Sequence, residues 1–148
     1  MSGYVKNIED ATDKNSNFRK VLFTAPHSQL VVMCLKPGED IGMEMHKHVD
    51  QFLRIESGVG KAILGGEEFE LKDGIALVVP AGTYHNLINT STSKLLRLYS
   101  IYSPPNHPQG TVHKTKKEAY PPRVSETNHL CKHFSVGLKY TVLVNYEK

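Results

Sequence analysis

"GIALVVPAGTYHNLIN", residues 74 to 89, is the stretch on which the architecture turns. Ile75 to Val79 is a short apolar run, rich in β-branched residues and bounded by turn formers, so it reads as a strand covered on both faces. Pro80 and Gly82 then bend the chain, proline by fixing φ and glycine by permitting a positive one. Tyr84 to Asn89 resumes as a strand and carries His85 at its start. Strand, tight turn, strand, with a histidine beside the turn: the period is two, and the reading is all-β.

The same punctuation continues on either side. Between Lys20 and Tyr102 the runs are "KVLFT", "QLVVMCLK", "IGMEMHKH", "QFLRIES", "KAILGGEEFEL", "IALVVPA", "YHNLIN" and "KLLRLYSIY", separated by Gly, Pro and Asp turns. About eight strands at roughly ten-residue spacing predict a sandwich or barrel. The organisation expected is an N-terminal arm (1–19), a β-barrel (20–105) and a short irregular C-terminal extension (106–148). The extension is rich in Pro and His, with a short helix around Lys116 to Tyr120 and a last strand in "YTVLVNY".

Composition narrows the function classes. With 148 residues, 39% of them apolar and 22% charged, the chain suits one ordinary globular domain. A net charge of +3 is small, and "HKTKK" (113–117), without interleaved aromatics, reads as a solvated loop, so no nucleic-acid partner is expected. The apolar runs are too short to cross a bilayer, and the segment after Met1 is too polar for a secretory signal. Cys34 and Cys131 match no CxxC spacing. They read as free thiols of a cytoplasmic protein, Cys34 as a small buried apolar residue.

Chemistry concentrates in "MEMHKHVDQFLRIESG", residues 43 to 58. On a strand Glu44, His46 and His48 share one face. After a turn at Val49–Asp50, Gln51 shares a face with Leu53 and Ile55, which belong in the core. Donor groups therefore gather at one end of the barrel, and His85 arrives there from downstream. Neutral imidazoles on strands suit a divalent metal. An isolated HxH is a weak signal, since a histidine at a strand end is more often simply hydrogen-bonded. Asn89 reads as a residue that satisfies backbone groups at a strand end, and Tyr84 as a rim residue. Tyr99 and Tyr102 read more readily as core or interface than as cavity lining. His107 and His113 have no strand parity and are set aside, as are His129 and His133.

Residues 38 to 89 resemble the two motifs of the cupin superfamily. The second, G-x5-P-x-G-x2-H-x3-N, is matched by Gly74, Pro80, Gly82, His85 and Asn89; the first, with its H-x-H pair and later glycine, by His46, His48 and Gly58. Gln51 occupies the slot where the pattern has glutamate, the gap after His48 is one residue short, and the opening glycine is out of register. The resemblance implies a double-stranded β-helix (jelly-roll) of the small single-domain, cupin-2-like kind, and a homodimer, for which "NFRKVLFT" offers an edge strand. It also implies a divalent metal (Zn, Fe, Mn or Ni) on His46, His48, Gln51 and His85. The "DQF" triplet, Asp50 to Phe52, resembles a subgroup often labelled sugar-phosphate isomerase-like.

The glutamine matters electrostatically, because a carboxamide removes none of a bound ion's charge. Glu44 has the parity to supply the missing carboxylate, as ligand, hydrogen-bond acceptor or catalytic base. The function expected is that of a metal-dependent enzyme, of isomerase or dioxygenase type, acting on a small oxygen-rich substrate such as a sugar derivative or an enolisable carbonyl. The alternative is a non-catalytic cupin that binds or senses a small ligand, the metal optional. Fold alone does not choose between them.

Overall fold

A computed structural model describes residues 3–121 of the chain. Nine strands, β1 (Arg19–Thr24), β2 (Gln29–Leu35), β3 (Asp50–Ser57), β4 (Val59–Leu64), β5 (Glu67–Lys72), β6 (Ala76–Val79), β7 (His85–Asn89), β8 (Leu96–Ser103) and β9 (Val112–His113), are flanked by two short helices, α1 (Ile8–Asp13) and α2 (Lys116–Ala119). One sheet has the order β6-β3-β8-β2-β1-β9 and the other β5-β4-β7, every ladder antiparallel. Two single bridges, Asp40 to Ile88 and Glu44 to His85, lay segment 40–44 along β7 as a partial fourth strand of the smaller sheet. The all-β jelly-roll reading stands.

Alternation decides what lies inside. Gln51, Leu53 and Ile55 of β3 point inward and are buried, and their neighbours on β8 across the ladder, Tyr102, Ser100 and Leu98, are buried too. Val31, Met33 and Leu35 of β2, Leu77 and Val79 of β6, Ala62, Leu71 and Leu87 complete the core with Phe18 and Ile41. Each large apolar side chain so buried contributes about 1.5–3 kcal/mol. Polarity is not spread evenly along the interior. Leu35, Ile55 and Leu96 form an apolar end, while Gln29, Gln51, His85, Ser100 and Tyr102 gather toward the other.

Gly58 shows how tightly the chain packs between β3 and β4. Its φ is +96°, and a Cβ there would lie 2.3 Å from the Leu95 carbonyl oxygen, so only glycine fits. Helix α1 was not anticipated in the arm. Asn7 caps it by accepting a hydrogen bond from the Asp10 N–H, Glu9 and Asp10 sit in its first turn, and it packs on β2, β3 and β8. Cys34 is buried, as expected, and burial pushes its thiol pKa up.

Segment 41–48, expected to be a strand, is not a regular one. It bridges at Glu44 and then turns at Lys47–His48, earlier than the turn expected at Val49–Asp50. Asp50 instead opens β3, its carboxylate accepting the Ala81 N–H at 2.8 Å.

The start of the extension lies against the barrel. β9 pairs with β1 at Arg19 and Lys20, covering part of the edge expected to meet a second subunit. The expected short helix is α2. "YTVLVNY", His129, Cys131 and His133 lie outside the described residues. No helix among the described residues is long and apolar enough to cross a membrane.

Candidate metal centre

Three backbone features bring the donors together. Glu44 and His85 exchange both backbone hydrogen bonds at 2.9 Å, so their side chains leave the ladder on the same side. His46 is held by its carbonyl, which accepts the Gly82 N–H at 2.8 Å. That amide belongs to a turn closed by the Thr83 N–H on the Pro80 carbonyl, with Gly82 at φ +81°, the left-handed value a type II turn needs at this place. Gln51 comes in from β3 on the opposite sheet.

A carboxylate oxygen of Glu44, a nitrogen of His46 and one of His85 lie within 4.8 Å of one another. Glu44 Oε2 is 3.5 Å from His46 Nε2 and 4.0 Å from His85 Nε2. The imidazole rings of His46 and His85 are 5.4 Å apart. His85 is buried, and burial holds its pKa below the ordinary histidine value, against the opposing pull of the Thr83 carbonyl and Glu44. A neutral ring with Nδ1–H donating to the Thr83 carbonyl at 3.1 Å presents a lone pair at Nε2. That lone pair faces the carboxamide oxygen of Gln51 at 3.0 Å, whose own Nε2 donates to Ser100 Oγ at 3.0 Å.

Two electron pairs facing each other, with no proton between, is an arrangement that a cation resolves. Ligand bonds of about 2.1 Å at right angles set neighbouring donors roughly 3 Å apart. His46 Nε2 is buried and has no hydrogen-bond partner, a second unmet donor at the same point. The residues present therefore fit a divalent ion. Of the residues assigned from sequence, the structure brings together His46, His85, Gln51 and Glu44. It places His48 on the exposed turn, outside this cluster, because the period-two alternation ends at Lys47.

Around the cluster stand residues the sequence reading left out. Glu44 Oε1 is approached by Arg19 Nη2 at 3.5 Å and accepts a hydrogen bond from the Tyr120 hydroxyl. Tyr102 is buried, its ring edge-on to His46 (5.8 Å) and to His107 (4.9 Å). His107 is held by its backbone, since Gln29 accepts its N–H at 2.9 Å and donates to its carbonyl at 2.7 Å. Asp40 accepts from Asn86 at 2.9 Å and from Lys116, which ties α2 to the rim. Burial raises its pKa, but those two hydrogen bonds, the charge of Lys116 and the Gly42 N–H together outweigh burial and hold it below the ordinary value. Arg19 was legible, because it shares strand parity with core Val21; Tyr120 and His107 come from irregular chain. Asn89 does as expected, donating to the Leu35 and Lys94 carbonyls and accepting from Ser91.

A jelly-roll barrel whose polar end gathers two imidazoles, a carboxylate and a carboxamide defines a class of small barrels built to hold a ligand or an ion. Comparison makes it specific: the chain belongs to the cupin superfamily, residues 31–102 matching the Cupin domain family. It is 52% identical over 122 residues to an uncharacterized Bacillus subtilis protein, YrkC, the match covering 78% of this chain but 65% of that protein, just under two thirds of its length. An uncharacterized protein of Acanthamoeba polyphaga mimivirus is 46% identical, over 74% of this chain and 70% of its own. The crystal structure of BH2720 from Bacillus halodurans superposes with a TM-score of 0.77 at 48% identity, over 80% of this chain and 93% of that one.

Proposed function

We propose that the chain is a metal-dependent enzyme acting on a small oxygen-rich substrate, a sugar derivative or an enolisable carbonyl compound, by isomerase or dioxygenase chemistry. The observation that carries the proposal is the convergence of Glu44, His46 and the buried His85, with Gln51 against His85 and His46 Nε2 without a partner among the described residues. His46 and His85 would hold the ion with the Gln51 oxygen beside them, and Glu44 would stand next to it. A divalent ion bound there supplies Lewis acidity toward a substrate oxygen.

The protein's own groups do the rest. Thr83 fixes the His85 tautomer, Ser100 fixes the Gln51 amide, and Tyr102 walls the site on the side of His46 and His107. Glu44 Oε2, the oxygen turned toward the histidines, is the group positioned to take a proton from substrate. One observation favours the second reading, a non-catalytic ligand-binding cupin. Glu44 Oε1 is already engaged by Arg19 and Tyr120, which leaves a single carboxylate oxygen facing the site.

Elemental analysis of the purified protein tests the centre. The parent is expected to carry about one equivalent of metal, and His46→Ala and His85→Ala to lose most of it while keeping the β-sheet circular dichroism spectrum. Equal metal content in all three would sink the assignment. Turnover on a panel of small oxygenated substrates, abolished in Glu44→Gln with metal retained, separates enzyme from binder.

A further inference from the structure

We infer that the roof of the site is an anion subsite, in which Arg19, His107 and His113 receive a carboxylate group of the ligand. The subsite rests on the proposed function and deepens it by placing an acidic group on the substrate, while the residues that build it are not the metal ligands.

Arg19 is the anchor. Alternation on β1 turns it inward with Val21, and it is only 4% exposed. Its guanidinium lies over the rings of Phe18 (5.7 Å) and Tyr120 (5.5 Å). Nη2 accounts for two contacts, the Tyr120 hydroxyl at 3.0 Å and Glu44 at 3.5 Å, while Nε is buried with no partner. His113 stands directly opposite Arg19 in the β1–β9 ladder, hence on the same face, and its Nδ1 is also buried and unpartnered. His107, clamped by Gln29 against Tyr102, presents a third such nitrogen, Nε2, and feels the charges of Arg19, Glu44 and His113.

Among the described residues, three nitrogens on three side chains thus lack an acceptor at one end of the barrel. A buried polar group left unmet is costly, so a partner there is favoured. Glu44 is the one carboxylate among the described residues bonded to this group. It touches Arg19 through a single oxygen at the outer limit of hydrogen bonding, with its other oxygen turned to the histidines. A planar guanidinium edge is matched by a planar two-oxygen anion, which points to a carboxylate. The ligand class is a small acid, such as a sugar acid or keto acid, whose other oxygens reach toward His46 and His85.

NMR titration of the full-length, chelator-treated protein with acetate and formate, against neutral acetamide and formamide, is the test. Acetate is expected to shift the His107 and His113 ring resonances and to bind at least tenfold more tightly than acetamide. Arg19→Met, which keeps a long side chain over Phe18, is expected to lose at least tenfold in acetate affinity. Equal binding of acetate and acetamide by the parent overturns the subsite without recourse to any variant, as does acetate binding unchanged in a folded Arg19→Met protein. Acetate binding that needs added Zn(II) and ignores Arg19 overturns the subsite and leaves the metal centre standing. Arg19-dependent acetate binding by a protein that takes up no metal supports the subsite and sinks the centre.

Discussion

Replacing Gln51 by glutamate puts a number on the electrostatics of the site. A carboxylate oxygen in place of the amide oxygen would stand 3.0 Å from His85 Nε2, at a position that is 1% exposed. A carboxylate beside a bound cation, where a carboxamide carries no charge, attracts it by several kcal/mol at an effective dielectric constant of about 20. Several kcal/mol of that is cancelled by stripping water from a carboxylate at so buried a place. The remainder, about 1.4–2.8 kcal/mol, corresponds to a ten- to hundredfold gain in metal affinity. Without metal the same change should destabilise the fold by about 1–3 kcal/mol, since a second buried carboxylate joins Glu44 and the amide N–H bond to Ser100 is lost. Competition with a chromophoric chelator for Zn(II) or Ni(II) measures the first effect; urea unfolding of the chelator-treated protein measures the second. An affinity unchanged or weakened, in a variant that folds, would refute the placement of Gln51 beside the ion.

Two further outcomes are expected from the packing and charge of the barrel. Gly58→Ala combines a positive φ with a methyl group 2.3 Å from the Leu95 carbonyl, and should destabilise by about 3 kcal/mol, a fall of about 10 °C in melting temperature; a loss under about 1 kcal/mol contradicts the close approach of Gly58 to Leu95. His107 has its pKa pushed down from 6.5 to about 4, chiefly by burial and then by Arg19. Its folded-state pKa lies below the unfolded one, so its contribution is intact above about 6.5 and is lost as pH falls toward about 4. Discounted for partial exposure, the loss is about 1–2 kcal/mol. Denaturant midpoints measured from pH 7 to 4 should flatten in His107→Gln, and an identical slope would contradict the burial of that ring.

Most of the barrel was legible because its strands obey the period of two and its turns carry the residues that turns require. Pro80 and Gly82 announced both the bend and the histidine it delivers. Gln51 could be placed from Leu53 and Ile55, since one face of a strand has one fate. The failures share a cause. Residues 41–48 alternate like a strand, yet bridge to β7 only at Glu44, so nothing in the ladder carries the alternation beyond His46, and His48 turns outward. His107 and Tyr120 occupy irregular chain placed by a buried glutamine and by partners far away in sequence, information that no local period contains.

The Tyr120 hydroxyl meets Arg19 across 101 positions and Glu44 across 76. Chain closure over such spans is entropically slow, whereas the hairpin β4–β5 closes over a few residues. During synthesis β8 emerges before Tyr120, so the sheets can zip shut while their polar end still stands open to solvent. The proposed ion and acid would then meet a nascent molecule by a wider door than the finished one presents.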